Sequence, residues 1–291
     1  FPQNPARPAV DHATRRRSVT AWVLWDVGSS SFDSIMMTFI FTVYLTSGYF
    51  GTPEQTSSAL SLGLTVAGFL IAFLAPVTGQ RNDKSGRGIF WLGVNTVLLV
   101  AFMAACFFVA PDPGYLWLGV FLVSAASVFS EFAYVNYNAV LPRISHPENI
   151  GKISGAGWAA GYIGGIIALG VVLWGFVLTP QVLGLTTDDA LNIRAVTLFA
   201  AAWCLAFCVP LLVRMRTRER LLPEVLPTRE LRFLELGLGR LSPARQGSLL
   251  ASYRALWRTI VRLKVTSPQT LWFLIRSEER RVGKECRSRW S

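Results

Sequence analysis

Asp26, Asp33 and Glu131 stand in stretches of the chain that are otherwise apolar. An ionisable side chain inside a membrane helix is costly unless it faces a cavity or a partner, so each is a functional candidate by default. Asp26 and Asp33 are seven residues apart and share one helix face. Glu131 is followed on its own helix by Asn136 and Asn138, and Trp158 lies further along, either lining a cavity or packing. Burial disfavours the charged form of a carboxylate. Groups placed in this way suit the binding of a polar solute or the carriage of a proton. For Asp26 a structural alternative is a position near the interface, capping a helix or pairing with Arg17.

Other chemistry has little support. His12 and His146 lie in polar segments far apart, and Cys106, Cys204, Cys208 and Cys286 show neither disulfide nor metal-ligand spacing. No metal and no cofactor are expected. No apolar run holds a nucleophile with a base beside it, or a His-Glu-x-x-His pair, so an intramembrane enzyme is not expected.

The residues around these groups read as membrane spans. The chain has 291 residues, 52% hydrophobic and 15% charged, with a mean hydropathy of +0.42. That is too apolar for an ordinary soluble domain. About 20 apolar residues cross a bilayer as a helix. Six runs approach or exceed that length, roughly 21–45, 59–78, 89–110, 115–140, 153–178 and 193–213. Basic residues fall on alternate connections, which puts both ends of the bundle in the cytoplasm. Arg15, Arg16 and Arg17 before the first run could mimic the start of a signal peptide; without a clear cleavage site and with several spans following, the run is expected to be retained. The expected domains are a disordered cytoplasmic arm (1–18), a six-helix bundle (19–213), a basic cytoplasmic loop (214–270), the start of a seventh span (271–275) and a foreign or artefactual tail (276–291).

The connection after the second run is Gly79-Gln80-Arg81-Asn82-Asp83-Lys84-Ser85-Gly86-Arg87-Gly88. It reads as a tight cytoplasmic turn, its glycines free to adopt positive φ. Its Gly-x-x-x-Asp-x-x-Gly-Arg pattern, carried by Gly79, Asp83, Gly86 and Arg87, resembles the signature between the second and third helices of the major facilitator superfamily. Gly88 departs from that signature, where a second basic residue is usual. Three further stretches resemble one branch, the vacuole-effluxer-like group named after autophagy-related amino-acid exporters. They are Trp25-Asp26-Val27-Gly28-Ser29-Ser30-Ser31-Phe32, Tyr137-Asn138-Ala139-Val140-Leu141-Pro142, and the run from Ser154 to Gly165. In the first, Val27 replaces a tryptophan and Ser29 an asparagine.

The resemblance covers roughly residues 20–275 and implies an all-α fold. Six transmembrane helices, as two three-helix inverted repeats, would form the N-terminal half of a twelve-helix transporter. The first and fourth helices, which carry the carboxylates, would be equivalent and line a central cavity. The implied function is secondary transport of small polar solutes such as amino acids, with proton coupling, and Gly79, Asp83, Gly86 and Arg87 would serve the conformational switch. The implied partners are a solute, membrane lipid and a missing C-terminal six-helix half. No nucleic acid is implied.

Gly151, Gly155, Gly157, Gly161 and Gly165 are spaced for close helix packing. The net charge of +11 arises beyond Val213, where 18 Lys and Arg face 7 Asp and Glu. There Leu249, Leu250, Tyr253, Leu256, Trp257, Ile260 and Val261 recur at helical spacing, with Arg254, Arg258 and Arg262 on another face. That is the pattern of a basic amphipathic helix on the inner leaflet. A lipid-binding scaffold using this segment is the alternative to a transporter. The apolar run opened by Leu271 stops at Ile275 and turns abruptly charged, so the chain is expected to be a fragment cut at both ends. The excess of Arg (24) over Lys (4) suggests a GC-rich genome and a bacterial inner membrane.

Overall fold

The computed structural model describes residues 12–85, 87–145 and 148–221, together with Tyr253, Trp257 and Val261. The chain falls into two units, Phe1–Val225 and Leu226–Ser291, and the helices that follow belong to the first. The described residues are all-helical and contain no strand.

The first segment opens as α1 (His12–Ser31), widens into a π-helical stretch (Phe32–Phe39) and, after a bend at Ile40, closes as α2 (Phe41–Leu45). Bonds that reach back five residues hold the wide stretch. The Ile40 amide donates to the Ile35 carbonyl at 3.0 Å, and the Thr38 and Thr42 hydroxyls donate to the Asp33 and Met37 carbonyls at 2.7 and 3.0 Å. Such π-turns often mark functional positions, and Asp33 lies in this one.

The other long helices are α3 (Pro53–Ser85), α4 (Gly88–Ala105), α5 (Leu116–Ile144), α6 (Ile150–Val172) and α7 (Leu191–Leu221). A second π-turn, Leu173–Leu178, ends α6, again with a threonine reaching back five residues, Thr179 to the Trp174 carbonyl. Before α5, the Asp112 carboxylate accepts from the Gly114 amide at 2.8 Å and caps a short turn, Pro113–Tyr115.

Among the described residues, five helical segments are long and apolar enough to cross a membrane: Pro53–Gly79, Gly88–Phe108, Pro113–Ile144, Ile150–Leu178 and Asp188–Arg216. Large apolar side chains such as Leu62, Phe69, Phe73, Ile163, Ile166 and Trp174 stand exposed on them. That surface suits lipid, and the chain is an integral membrane protein. The expected first span, 21–45, is not a sixth uninterrupted helix of this kind, because the π-turn and the bend at Ile40 divide it into three pieces.

Several expected boundaries also move. The chain is already helical at His12, so residues 12–18 are not an irregular arm; arginine is a good helix former. At the other end α7 runs on through Arg214 to Leu221, past the expected bundle edge at 213. The turn after the second span is shorter than its ten-residue pattern suggests. Helix α3 continues to Ser85, α4 starts at Gly88, and Gly79 and Gly88 are helical. The positive-φ glycines among the described residues are Gly51 and Gly184 instead.

The helices pack in a defined order. Helix α1 lies chiefly against α6 and α7, α5 against α3 and α4, and α4 also against α7. Gly28 brings α1 close to α7: a methyl there would stand 2.9 Å from the Cys204 carbonyl oxygen. Two side chains tie the pair, Ser31 donating to the Ala200 carbonyl at 3.2 Å and Trp203 Nε1 to the Val27 carbonyl at 3.2 Å. In the second unit Tyr253, Trp257 and Val261 are helical, with Trp257 and Val261 exposed. Their four-residue spacing places them on one face. The remaining positions of the expected amphipathic helix, the start of a seventh span and the charged tail lie outside the described residues.

Candidate functional site

The site begins with tight contact between α1 and α6. A methyl at Gly157 would come within 2.5 Å of the Trp22 ring, one at Gly164 within 2.6 Å of Val27 Cγ1, and one at Gly165 within 2.6 Å of Ser34 Oγ. Gly161 faces the Asp26 carboxylate at 3.1 Å. Four side chains of zero volume on one face of α6 thus let α1 lie against its backbone, as small residues do between membrane helices. Gly151 and Gly155 are not part of this contact, since nothing lies within 4 Å of where their Cβ atoms would stand. Gly164 belongs to it, although the four-residue spacing passes over that position.

An aromatic stack joins α1 to α5. The Tyr137 ring stacks on Trp22 (centroids 4.4 Å apart, planes 7° apart) and on Trp25 (4.2 Å, 21°). Trp22 Nε1 also donates to the Tyr137 carbonyl at 3.2 Å. Offset stacking of this kind adds about 0.5–1.5 kcal/mol per pair beyond burial. The tryptophan-aspartate opening of the first helix and the tyrosine-asparagine ending of the fourth therefore meet in space.

Between α1, α5 and α6 lies a cavity of about 280 Å³. From α1 and its π-helical continuation it is lined by Trp25, Asp26, Ser29, Ser30, Asp33 and Ser34. From α5 come Ser130, Glu131 and Tyr134, and from α6 Trp158, Gly161 and Tyr162. The three carboxylates that stand in apolar sequence are thus gathered in one place, and Glu131 and Asp26 are close enough to Asp33 to act on it electrostatically. Asp26 does not pair with Arg17. That arginine is exposed near the start of α1, and nine residues of helix separate the two by about 13 Å.

Trp158 is half exposed and meets Tyr162 edge to face at 5.6 Å. Trp25 is only 1% exposed, and its Nε1–H has no acceptor among the described residues. The serines partly satisfy themselves: Ser29 and Ser30 donate to the Asp26 and Val27 carbonyls at 3.3 and 2.8 Å. Asn136 and Asn138 do not line the cavity. Their amides donate to the Phe132 and Tyr134 carbonyls of their own helix, at 2.7 and 3.0 Å. Asn136 is buried and Asn138 exposed.

Of the signature connection, Gly79 is helical and faces Val135, 3.3 Å from where its Cβ would stand. Asp83 lies in the last turns of α3, and Arg87 is exposed between α3 and α4. Gly86 lies outside the described residues. Among the described residues no group of His, Cys, Asp and Glu is placed to hold a metal ion.

Trp25, Tyr134, Tyr162 and the serines are lining residues that hydropathy does not single out. A serine triplet one turn after Asp26 in an apolar helix was the available signal. No family model and no solved structure matches the chain. The chain is similar to the uncharacterized MFS-type transporter YxiO of Bacillus subtilis, at 24% identity over 201 residues, which are 68% of this chain and 46% of that protein; the matched region thus spans just under half of that relative's length.

Proposed function

We propose that this chain forms half of a secondary active transporter of the major facilitator type, moving small polar solutes across a membrane by alternating access. The observation that carries the reading is the cavity in which Asp26, Asp33 and Glu131 converge, inside a bundle whose outer surface is apolar. Carboxylates in a membrane helix that share a cavity fit solute binding or proton carriage. The similarity to a protein described as an MFS-type transporter supports the same class, and it favours a transporter over an enzyme.

In this reading the bundle is two inverted three-helix repeats, with α1 through α2 as a broken first span and α5 as its counterpart. A second six-helix bundle facing this one would close the cavity. The family branch is the vacuole-effluxer-like one, amino acids are among the solutes, and a proton is the coupling ion taken up by the carboxylates. The residues from Gly79 to Arg87 act on the switch between outward- and inward-open states. The protein resides in a bacterial inner membrane with its N-terminus in the cytoplasm.

Counterflow into proteoliposomes tests this. Vesicles loaded with an unlabelled mixture of amino acids and amines should accumulate labelled members of the mixture when the intact transporter, this bundle together with its second six-helix half, is present. Asp33→Asn should abolish the accumulation. Absence of counterflow for every solute, with this bundle and its second six-helix half correctly inserted together, would contradict the reading.

A further inference from the structure

We propose that Thr38 is a positioning residue of the cavity: its hydroxyl holds the wide turn of the first span, and that turn keeps Asp33 on the cavity wall while the span beyond it stays seated in the core. The proposal rests on the transporter reading and names a residue that serves its site from behind the lining.

Threonine hydroxyls mark the register of the helices they stand on. A threonine in an α-helix bonds the carbonyl three or four residues back. Thr20, Thr56 and Thr96 do so, donating to the Arg16, Thr52 and Leu92 carbonyls at 3.1, 3.1 and 2.8 Å. In both π-turns the reach is five residues instead. Thr38 donates to the Asp33 carbonyl at 2.7 Å, Thr42 to Met37 at 3.0 Å and Thr179 to Trp174 at 2.6 Å. The same wide register shows in the backbone, where the Ile40 amide donates to the Ile35 carbonyl. The residue that Thr38 grips is therefore the one whose carboxylate lines the cavity.

Burial shows what the wide turn accomplishes. Trp25, Phe32 and Met36 form a buried stripe at helical spacing, and the stripe resumes at Phe41 and Leu45. The step from Met36 to Phe41 is five residues, one more than an α-helix allows. Phe39 and Val43, where an unbroken helix would continue the stripe, stand 55% and 57% exposed. Both ends are fixed in the bundle. Ahead of the turn Ser31 bonds the Ala200 carbonyl, and Ser34 lies against Gly165 of α6. Beyond it the Tyr44 hydroxyl donates to the Val109 carbonyl at 3.0 Å, and Leu45 fills the space that a side chain at Gly119 would take. One residue of α-helix is a rotation of about 100°. Closing the turn to α register with Tyr44 and Leu45 still seated would swing Asp33 by about that angle, off the wall it shares with Asp26 and Ser30.

The test reads the position of residue 33 directly, in the purified full chain in lipid nanodiscs. Asp33→Cys and Ser130→Cys, on facing walls of the cavity, are joined by a short bifunctional methanethiosulfonate in a Cys286→Ser background, and the linked peptides are quantified by mass spectrometry. Ser29→Cys with Ser130→Cys, ahead of the turn, reports a folded cavity. Thr38→Val should slow linking of position 33 by about twofold or more, the scale of one hydrogen bond, and leave linking of position 29 unchanged. Thr38→Ser, which keeps the hydroxyl, should restore the wild-type rate. Thr46→Val removes a hydroxyl that bonds at the ordinary spacing, four residues back to Thr42, and should change neither link. Thr38→Ala also lacks the hydroxyl and gives the same reading should the valine variant not fold. An unchanged rate at position 33 in the hydroxyl-free variant, equal slowing in Thr38→Ser, or equal slowing in Thr46→Val would each overturn the proposal. Linking does not depend on transport, so the two readings fail separately. If the links respond as expected while the intact transporter shows no counterflow, it is the transporter reading that fails.

Discussion

The Asp26 carboxylate is seated against Gly161: a methyl at Gly161 would stand 3.1 Å from both Asp26 Cγ and Oδ2. The glycine's missing side chain is the space the carboxylate occupies at the cavity wall. Gly161→Leu should displace Asp26 and fill part of the cavity, lowering solute affinity by about tenfold or more, which is 1.4 kcal/mol or more. Gly161→Ala should cost less, because the carboxylate can rotate away. Solute binding to variants that elute as folded protein checks this; wild-type affinity in Gly161→Leu would remove Asp26 from the site.

The other glycines of α6 separate contact from mere spacing. An alanine at Gly164 would crowd the Val27 backbone, with Cα 3.0 Å away, whereas an alanine at Gly155 meets nothing within 4 Å. Gly164→Ala should therefore destabilise the bundle by about 1–3 kcal/mol through overpacking. Gly155→Ala should be neutral or slightly stabilising, since alanine is the better helix former. Thermal unfolding in detergent distinguishes the two.

This contrast also shows what was legible in the sequence. Asp26, Asp33 and Glu131 stand out because a charge in an apolar run is costly anywhere except a cavity, so composition alone pointed to them. Trp25, Tyr134 and Tyr162 did not stand out, because aromatic residues in a membrane helix usually pack or face lipid, and only the tertiary contact of α1, α5 and α6 decides otherwise. The π-turn at Phe32–Phe39 was invisible for a related reason. It is a change of hydrogen-bond register, and the hydropathy of its residues is the same in either register. The connection after α3 was read as too long because its charges signal the membrane edge, whereas charged straight-chain residues such as Arg81 and Lys84 extend a helix readily. Spacing alone grouped Gly151 and Gly155 with Gly157 and Gly161; which glycines touch a neighbour depends on where α1 crosses α6.

Tyr137 joins α1 to α5 through its ring and not through its hydroxyl, which is buried without a partner among the described residues. Tyr137→Phe should leave stability within about 1 kcal/mol of wild type, because it removes an unsatisfied polar group and keeps the stack. Tyr137→Ala should cost about 3–5 kcal/mol through lost burial and the cavity left behind. Equal losses in the two variants would mean that the hydroxyl, through a contact yet to be seen, carries the join.

Asp83 and Gly79 lie in α3, and Gly79 is not among the residues that line the cavity. Gly79→Leu would press on Val135 of α5, and Asp83→Asn removes a charge at the end of α3. Both variants should slow counterflow by about tenfold while leaving solute affinity within about twofold of wild type, as expected of positions that act on a conformational switch. Parallel loss of affinity and rate would place them with the binding site instead.

Alternating access is tested most directly at Ser34, which lines the cavity next to Asp33. Cys106, Cys204 and Cys208 are buried, so a Ser34→Cys, Cys286→Ser variant would present a single accessible thiol at the cavity wall. Right-side-out and inside-out vesicles would each be treated with a membrane-impermeant maleimide. A cavity that opens in turn to the two sides predicts labelling of Ser34→Cys in both preparations. Labelling from one side alone, however long the exposure, would contradict the account.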